Sequence, residues 1–122
     1  MDAITIVRKW YTERDPTVWS DRAVWELPNG FPHGGIYRGK DAVFGQFYPR
    51  LKADWSEWKA DCRELFNSDE FVVGEGLYTA VCKATGKRLA SPFVHLFSVV
   101  DDKIAYHRSF VDVAAFQAAQ EA

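Results

Sequence analysis

The sequence predicts an α+β domain on three observations. Apolar residues recur at helical spacing in its first half, the period changes to two from residue 55 onward, and no linker, repeat or low-complexity tract interrupts its 122 residues. That length is one domain, residues 1–122, with room for a real core. Helices followed by an antiparallel meander gather on one face of a sheet. A strongly twisted sheet curls around what packs on it, and two short helices leave part of that curl as a cavity.

In residues 3–13, Ile4, Val7 and Tyr11 form one stripe and Ile6 and Trp10 the adjoining one, with Asp2 as N-cap and an end before Asp15-Pro16. Pro16 then starts a short helix or turn. Residues 23–27 read as a first strand, stopped by Pro28-Asn29-Gly30, and Ile36 to Arg38 as a second. Asp41 to Leu51 is a helix in which Pro49 predicts a kink or an early end. Four strands follow at 55–66, 71–84, 91–100 and 103–112, turned at Asn67–Asp69 and Thr85–Lys87. Asp112 caps a short Ala-rich closing helix.

Composition narrows the function classes. The net charge of −2 and the scattered Lys and Arg leave no electrostatic basis for nucleic-acid binding. Charges interrupt the N-terminal apolar run, so it reads as neither a signal peptide nor a membrane span, and a cytoplasmic protein is expected. Cys62 and Cys82 lack metal-type spacing and read as free thiols, with a single disulfide as the alternative. The aromatic content of 16% exceeds what a core this small normally demands and suggests a lined cavity or a sticky interface, with simple filling of the core as the equal alternative.

The succession of two helices, FPHGGIYRGKDAV, strands, KATGK, PFVHLF, a tight turn before KI and a final FVD resembles the SnoaL-like proteins. These belong to the nuclear-transport-factor-2-like, or ketosteroid-isomerase-like, superfamily. The resemblance spans nearly the whole chain and implies a cystatin-like cone: a curved antiparallel sheet around helices, an internal ligand pocket and a homodimer through the outer sheet face. It also implies that Gly76, Tyr78, Ala80, Phe93, His95, His107, Ser109 and Val111 point inward. The Asp–Arg–Asp set of limonene-epoxide-hydrolase-like members falls on Tyr78, Gly76 and Ser109, so that chemistry has neither acid nor base here. The isomerase carboxylate falls on Leu27, with Glu26 on the opposite face of the strand.

His95 and His107 are the candidate chemistry. A three-residue loop, Val100 to Asp102, sets them opposite each other on one face; a two-residue loop sends His107 to the other face. Asp-Asp lacks the glycine of a two-residue turn, which favours the longer loop and both rings inward. Two facing imidazoles do not both charge, so one stays neutral as a base. The expected site is therefore His107, His95 and Tyr78 as catalytic groups, with Ser109, Phe93, Ala80, Val111, Tyr11, Trp10 and Phe116 around the guest. No metal is expected, because Asp112 faces away from His107 and His33 lies in a Gly/Pro loop. No cofactor is expected either. The expected activity is acid–base chemistry of the isomerase or cyclase class on an apolar, ring-containing carbonyl compound. The alternatives are a non-catalytic binder of such a ligand and a dimeric interaction module.

Overall fold

The computed structural model describes residues 1–122. Asp2 accepts the Thr5 amide at 3.0 Å and so caps α1 (Ala3–Glu13). This helix buries Ile6, Val7 and Trp10, and the chain leaves it at Arg14 with a left-handed φ of 53°. Asp15 caps a 3-10 turn at Pro16–Val18. The first strand, β1 (Trp19–Leu27), begins earlier than its weak alternation suggested, and β2 (Gly35–Arg38) pairs antiparallel with it.

The second helical run neither ends at Pro49 nor breaks there. Helix α2 (Lys40–Ala42) passes through a π-helical turn (Val43–Phe47) into α3 (Tyr48–Asp54). The Tyr48 amide reaches back to the Val43 carbonyl, widening the coil directly before the proline. A proline ring presses on the carbonyl four residues earlier, here that of Gly45, and the wider turn relieves that clash.

Strands β3 (Trp55–Asn67), β4 (Val72–Cys82), β5 (Arg88–Val100) and β6 (Lys103–Val111) follow the period-two runs, and Asp112 caps α4 (Val113–Gln120). The six strands form an open sheet in the order β2-β1-β6-β5-β4-β3. It is mostly antiparallel, but β1 runs parallel to β6, so the sheet is mixed. Strict alternation on β4 buries Val72, Gly74, Gly76, Tyr78, Ala80 and Cys82. The same parity on β5 buries Leu89, Ser91, Phe93, His95 and Phe97. Trp10, Trp19 and Trp25 pack edge-on or tilted with centroids 4.9–6.4 Å apart, joining α1 to β1. Cys62 stands opposite Gly76 and Cys82 opposite Trp55; the two thiols are free.

The β5–β6 hairpin corrects the expected three-residue loop. Val100 pairs with Lys103, leaving Asp101-Asp102 as a two-residue turn with φ of 51° and 60°. Aspartate tolerates this left-handed geometry because its short polar side chain bonds locally, so the missing glycine does not forbid the turn. That turn alone would send His107 outward. A bulge intervenes: Val99 pairs with Ile104 but Ser98 with Tyr106, leaving Ala105 as the extra residue. Parity is thereby restored, and both imidazoles face the concave side. His95 stands opposite Ser109 and Phe97 opposite His107, two residues from the expected pairing of His95 with His107.

Gly76 illustrates how closely β3, β4 and β5 pack. A Cβ there would lie 2.0 Å from the Asp61 carbonyl oxygen and 2.7 Å from Phe93 Cζ, whereas a Cβ on Gly45 meets nothing within 4 Å. Gly76→Ala is expected to destabilise the fold by about 2 kcal/mol or more. Gly45→Ala, on an exposed helical position, is expected to be neutral or stabilising by up to about 1 kcal/mol. Urea titration of both variants measures the contrast, and equal stabilities would refute this account of the packing.

Candidate functional site

The concave side encloses a cavity of about 400 Å³. Trp10 and Arg14 come from α1, Trp25 and Leu27 from β1, and Phe44, Phe47, Tyr48, Leu51 and Lys52 from the helical run around the π turn. Phe31, Trp58, Ala60, Tyr78, His95 and His107 complete most of the wall. Alternation along β1 puts Trp25 and Leu27 on one face. The four-residue spacing of Phe44 and Tyr48 does the same on the helix. These two patterns could have located both pairs in the sequence.

Of the residues expected at the site, Trp10, Tyr78, His95 and His107 line the cavity. Tyr11 lies one layer behind the lining, bonded to His95. Phe93 stacks on His95 at 4.0 Å between centroids, and Phe116 packs under Phe31 at 5.0 Å. Ser109 and Ala80 are buried in the sheet, and Val111 is half-buried beside the core. Trp25 and Trp55 are core residues and Trp58 a wall residue, so none of these indoles forms an outer aromatic patch. His33 bonds Asp54 at 2.7 Å in its exposed loop. Glu26 accepts the Tyr106 hydroxyl and approaches Arg108 at 3.7 Å, and no carboxylate lines the cavity. No group of three metal-binding side chains is assembled. Arg14 and Lys52 were not singled out in the sequence; nothing in their spacing marks them.

Three side chains from three elements form a continuous polar chain. The Tyr11 hydroxyl meets His95 Nδ1 at 2.5 Å, and the Tyr78 hydroxyl meets His95 Nε2 at 2.6 Å. The Tyr11 and His95 rings are within 3° of parallel. Gly74, directly opposite His95 on β4, makes room for this contact: a Cβ there would stand 2.6 Å from the Tyr11 oxygen. Burial holds the phenols of Tyr11 and Tyr78 protonated far above their ordinary range and pushes Tyr48 up to about 12.

His107 differs. Its ring stands 4.6 Å from those of both His95 and Trp25. Its Nδ1 is enclosed without a hydrogen-bond partner, as are Trp25 Nε1, Trp19 Nε1 and Ser109 Oγ. Each such orphan costs about 1–3 kcal/mol, and His107, Trp25 and Trp19 lie together, with ring centroids 4.6–6.1 Å apart. Burial drives His107 down to about 3, the Arg14 guanidinium adds to the fall, and the Leu96 backbone opposes it without reaching hydrogen-bond geometry. Burial, His107 and Arg14 together hold His95 well below its ordinary value. Both rings are neutral near pH 7. A neutral imidazole donates through one nitrogen and accepts through the other, so one tyrosine donates to His95 and the other accepts from it.

The burial of two neutral imidazoles has a consequence for stability. Unfolded, each binds a proton near pH 6.5; folded, His107 does so only near 3 and His95 well below 6.5. Below pH 6.5 the unfolded chain therefore takes up protons that the native chain refuses, and stability falls with pH. The expected slope between pH 6 and 5 approaches about 1.4 kcal/mol per pH unit for each ring. His107→Gln should retain about half of it. Urea midpoints across this range measure the slope, and a flat wild-type profile would contradict the burial of neutral rings.

Comparison with known proteins agrees with this architecture. No curated protein matches the chain in sequence. An NTF2-like protein from Burkholderia thailandensis superposes with a TM-score of 0.90 at 24% identity, over 98% of this chain and 97% of that one. TerC, co-crystallised with polyporic acid, gives 0.83 at 20% identity over 95% of each chain. A protein of ketosteroid isomerase-like fold from Catenulispora acidiphila, in complex with trimethylamine, gives 0.79 at 16% identity over 93% and 90%. At these identities the likeness shows the fold. The SnoaL-like domain model matches residues 13–107, more than half of the sequence, and the chain belongs to the SnoaL-like domain family.

Proposed function

We propose that the cavity binds an apolar, ring-containing carbonyl compound and that the protein performs acid–base chemistry of the isomerase or cyclase class on it. The observation that carries this reading is His107: a neutral imidazole without a hydrogen-bond partner, in the wall of an aromatic cavity and beside a bonded Tyr–His–Tyr chain. With Nδ1 enclosed, Nε2 is the nitrogen left for a guest. It accepts the proton from the carbon next to the carbonyl as the C–H pair moves into the developing enolate.

His95 has no free nitrogen, so it serves as a positioning residue. In the tautomer where Tyr11 donates to Nδ1 and Nε2–H donates to the Tyr78 oxygen, the Tyr78 proton is left for the guest. Tyr78 then donates to the enolate oxygen, and the chain behind it strengthens that donor. Proton return from His107 to another carbon completes an isomerisation; attack of the enolate carbon on a second carbonyl within the guest forms the ring bond, and the alkoxide so produced takes the proton back from His107. The co-crystallised small molecules of two relatives of this fold support an occupied pocket. A non-catalytic binder is the second reading, favoured by how low His107 titrates, since a base that weak needs help from its guest. The outer sheet face, with exposed Phe66, Val94 and Phe110, is the face we assign to a homodimer. We assign a cytoplasmic location on the two free cysteines, which suit a reducing compartment.

The test uses 2-tetralone, a cyclic aryl ketone with exchangeable protons next to its carbonyl, in deuterated buffer followed by proton NMR. Wild-type protein is expected to accelerate deuterium incorporation over buffer. His107→Gln should abolish the acceleration while ligand-observed NMR still detects binding, and Tyr78→Phe should lower it at least tenfold. Binding without exchange between pH 6 and 9 would establish the non-catalytic reading instead.

A further inference from the structure

The cavity wall is charged in one sense only. Its two ionic residues are Arg14 and Lys52, both exposed at its solvent side, and no Asp or Glu contributes to the lining. Neither cation has a carboxylate partner within 4.0 Å; the ion pairs of the molecule lie elsewhere. In a chain with more acidic than basic residues, this local excess of positive charge runs against the global balance.

Arg14 is also held in place. The left-handed residue at the end of α1 turns its side chain back over the helix, where the guanidinium lies 5.1 Å from the Trp10 ring centre and 5.7 Å from that of Tyr11. One nitrogen, Nη2, donates to the Ala60 carbonyl at 3.1 Å. A guanidinium has five N–H donors, so this fixed group retains others for a ligand. Its charge is felt inside: it opposes protonation of His95 and His107 and eases ionisation of Tyr11, Tyr48 and Tyr78.

We propose that the guest of this cavity is an acid, carrying a carboxylate or an ionised enol or phenol that pairs with Arg14 while Lys52 steers it to the opening. This deepens the ring-compound reading above and rests on it. The anion would also supply what His107 lacks: a negative charge lodged near the imidazole offsets the Arg14 field and strengthens the ring as a proton acceptor.

The experiment compares 2-naphthoate with 2-acetylnaphthalene, which share the ring system and differ in the charge of the substituent. Titration calorimetry at pH 7.5 is expected to show naphthoate at least tenfold tighter on the wild type. That advantage should shrink as salt rises from 20 to 500 mM. Arg14→Met should remove it by weakening naphthoate at least fivefold more than the ketone, and Arg14→Lys should restore part of it, which guards against a merely structural loss. Lys52→Met should lower the association rate of naphthoate more than it changes the dissociation rate. Equal or tighter binding of the ketone by the wild type would overturn the acid preference and leave the ring-compound pocket standing. Binding of neither compound by folded protein would overturn both.

Discussion

The site depends on one extra residue in β6. The two-residue turn at Asp101-Asp102 sets a register in which His95 and His107 lie on opposite faces, and the bulge at Ala105 reverses that parity. Without it, every side chain of β6 beyond the bulge would change faces. Arg108 and Phe110 would enter the concave side, and His107 and Ser109 would leave it. The bulge also sits where β6 meets β1, whose own pairing slips between Trp19 and Val24. That slip leaves Trp25 directly beside His107. The contact between indole and imidazole thus arises from matching irregularities in two adjacent strands.

Around this frame, desolvation does the chemical work that charges do in other sites. No acid lines the cavity, so nothing inside stabilises an imidazolium; burial is the largest cause that sets both histidines neutral and keeps the phenols protonated, and the Arg14 charge adds to it at the histidines. Small residues make the arrangement geometrically attainable. Gly74 lets the Tyr11 hydroxyl approach His95 from α1, and Gly76 admits the Phe93 ring that stacks under the same imidazole.

Much of the fold was legible because its signals are local. Caps at Asp2 and Asp112, the four long strands and the turns between them follow from the residues that compose them. The inward face of β4 came from the family resemblance, and the strict alternation of burial on that strand agrees with it. The hairpin was not: aspartates in left-handed geometry carry no glycine to announce them, and the bulge at Ala105 has no signature of its own, so the right faces were reached through the wrong pairing. The parallel contact of β1 with β6 is a long-range choice that no local pattern encodes. Arg14 escaped notice because its importance lies in a backbone angle and in two rings it covers, neither visible as a motif.

The two histidines, alike in sequence, are made unlike by their neighbours. His95 stands opposite Gly74, with space for a tyrosine from the helix, and a second tyrosine reaches its other nitrogen; it is fully bonded and can only transmit or orient. His107 stands opposite Phe97 and beside Trp25; neither offers it an acceptor, and the unpartnered Trp25 Nε1–H makes no hydrogen bond to it. A buried nitrogen left without a partner costs stability, and the folded chain carries that cost. The difference between them therefore follows from packing: one imidazole is bonded at both nitrogens, and the other keeps a buried nitrogen without a partner.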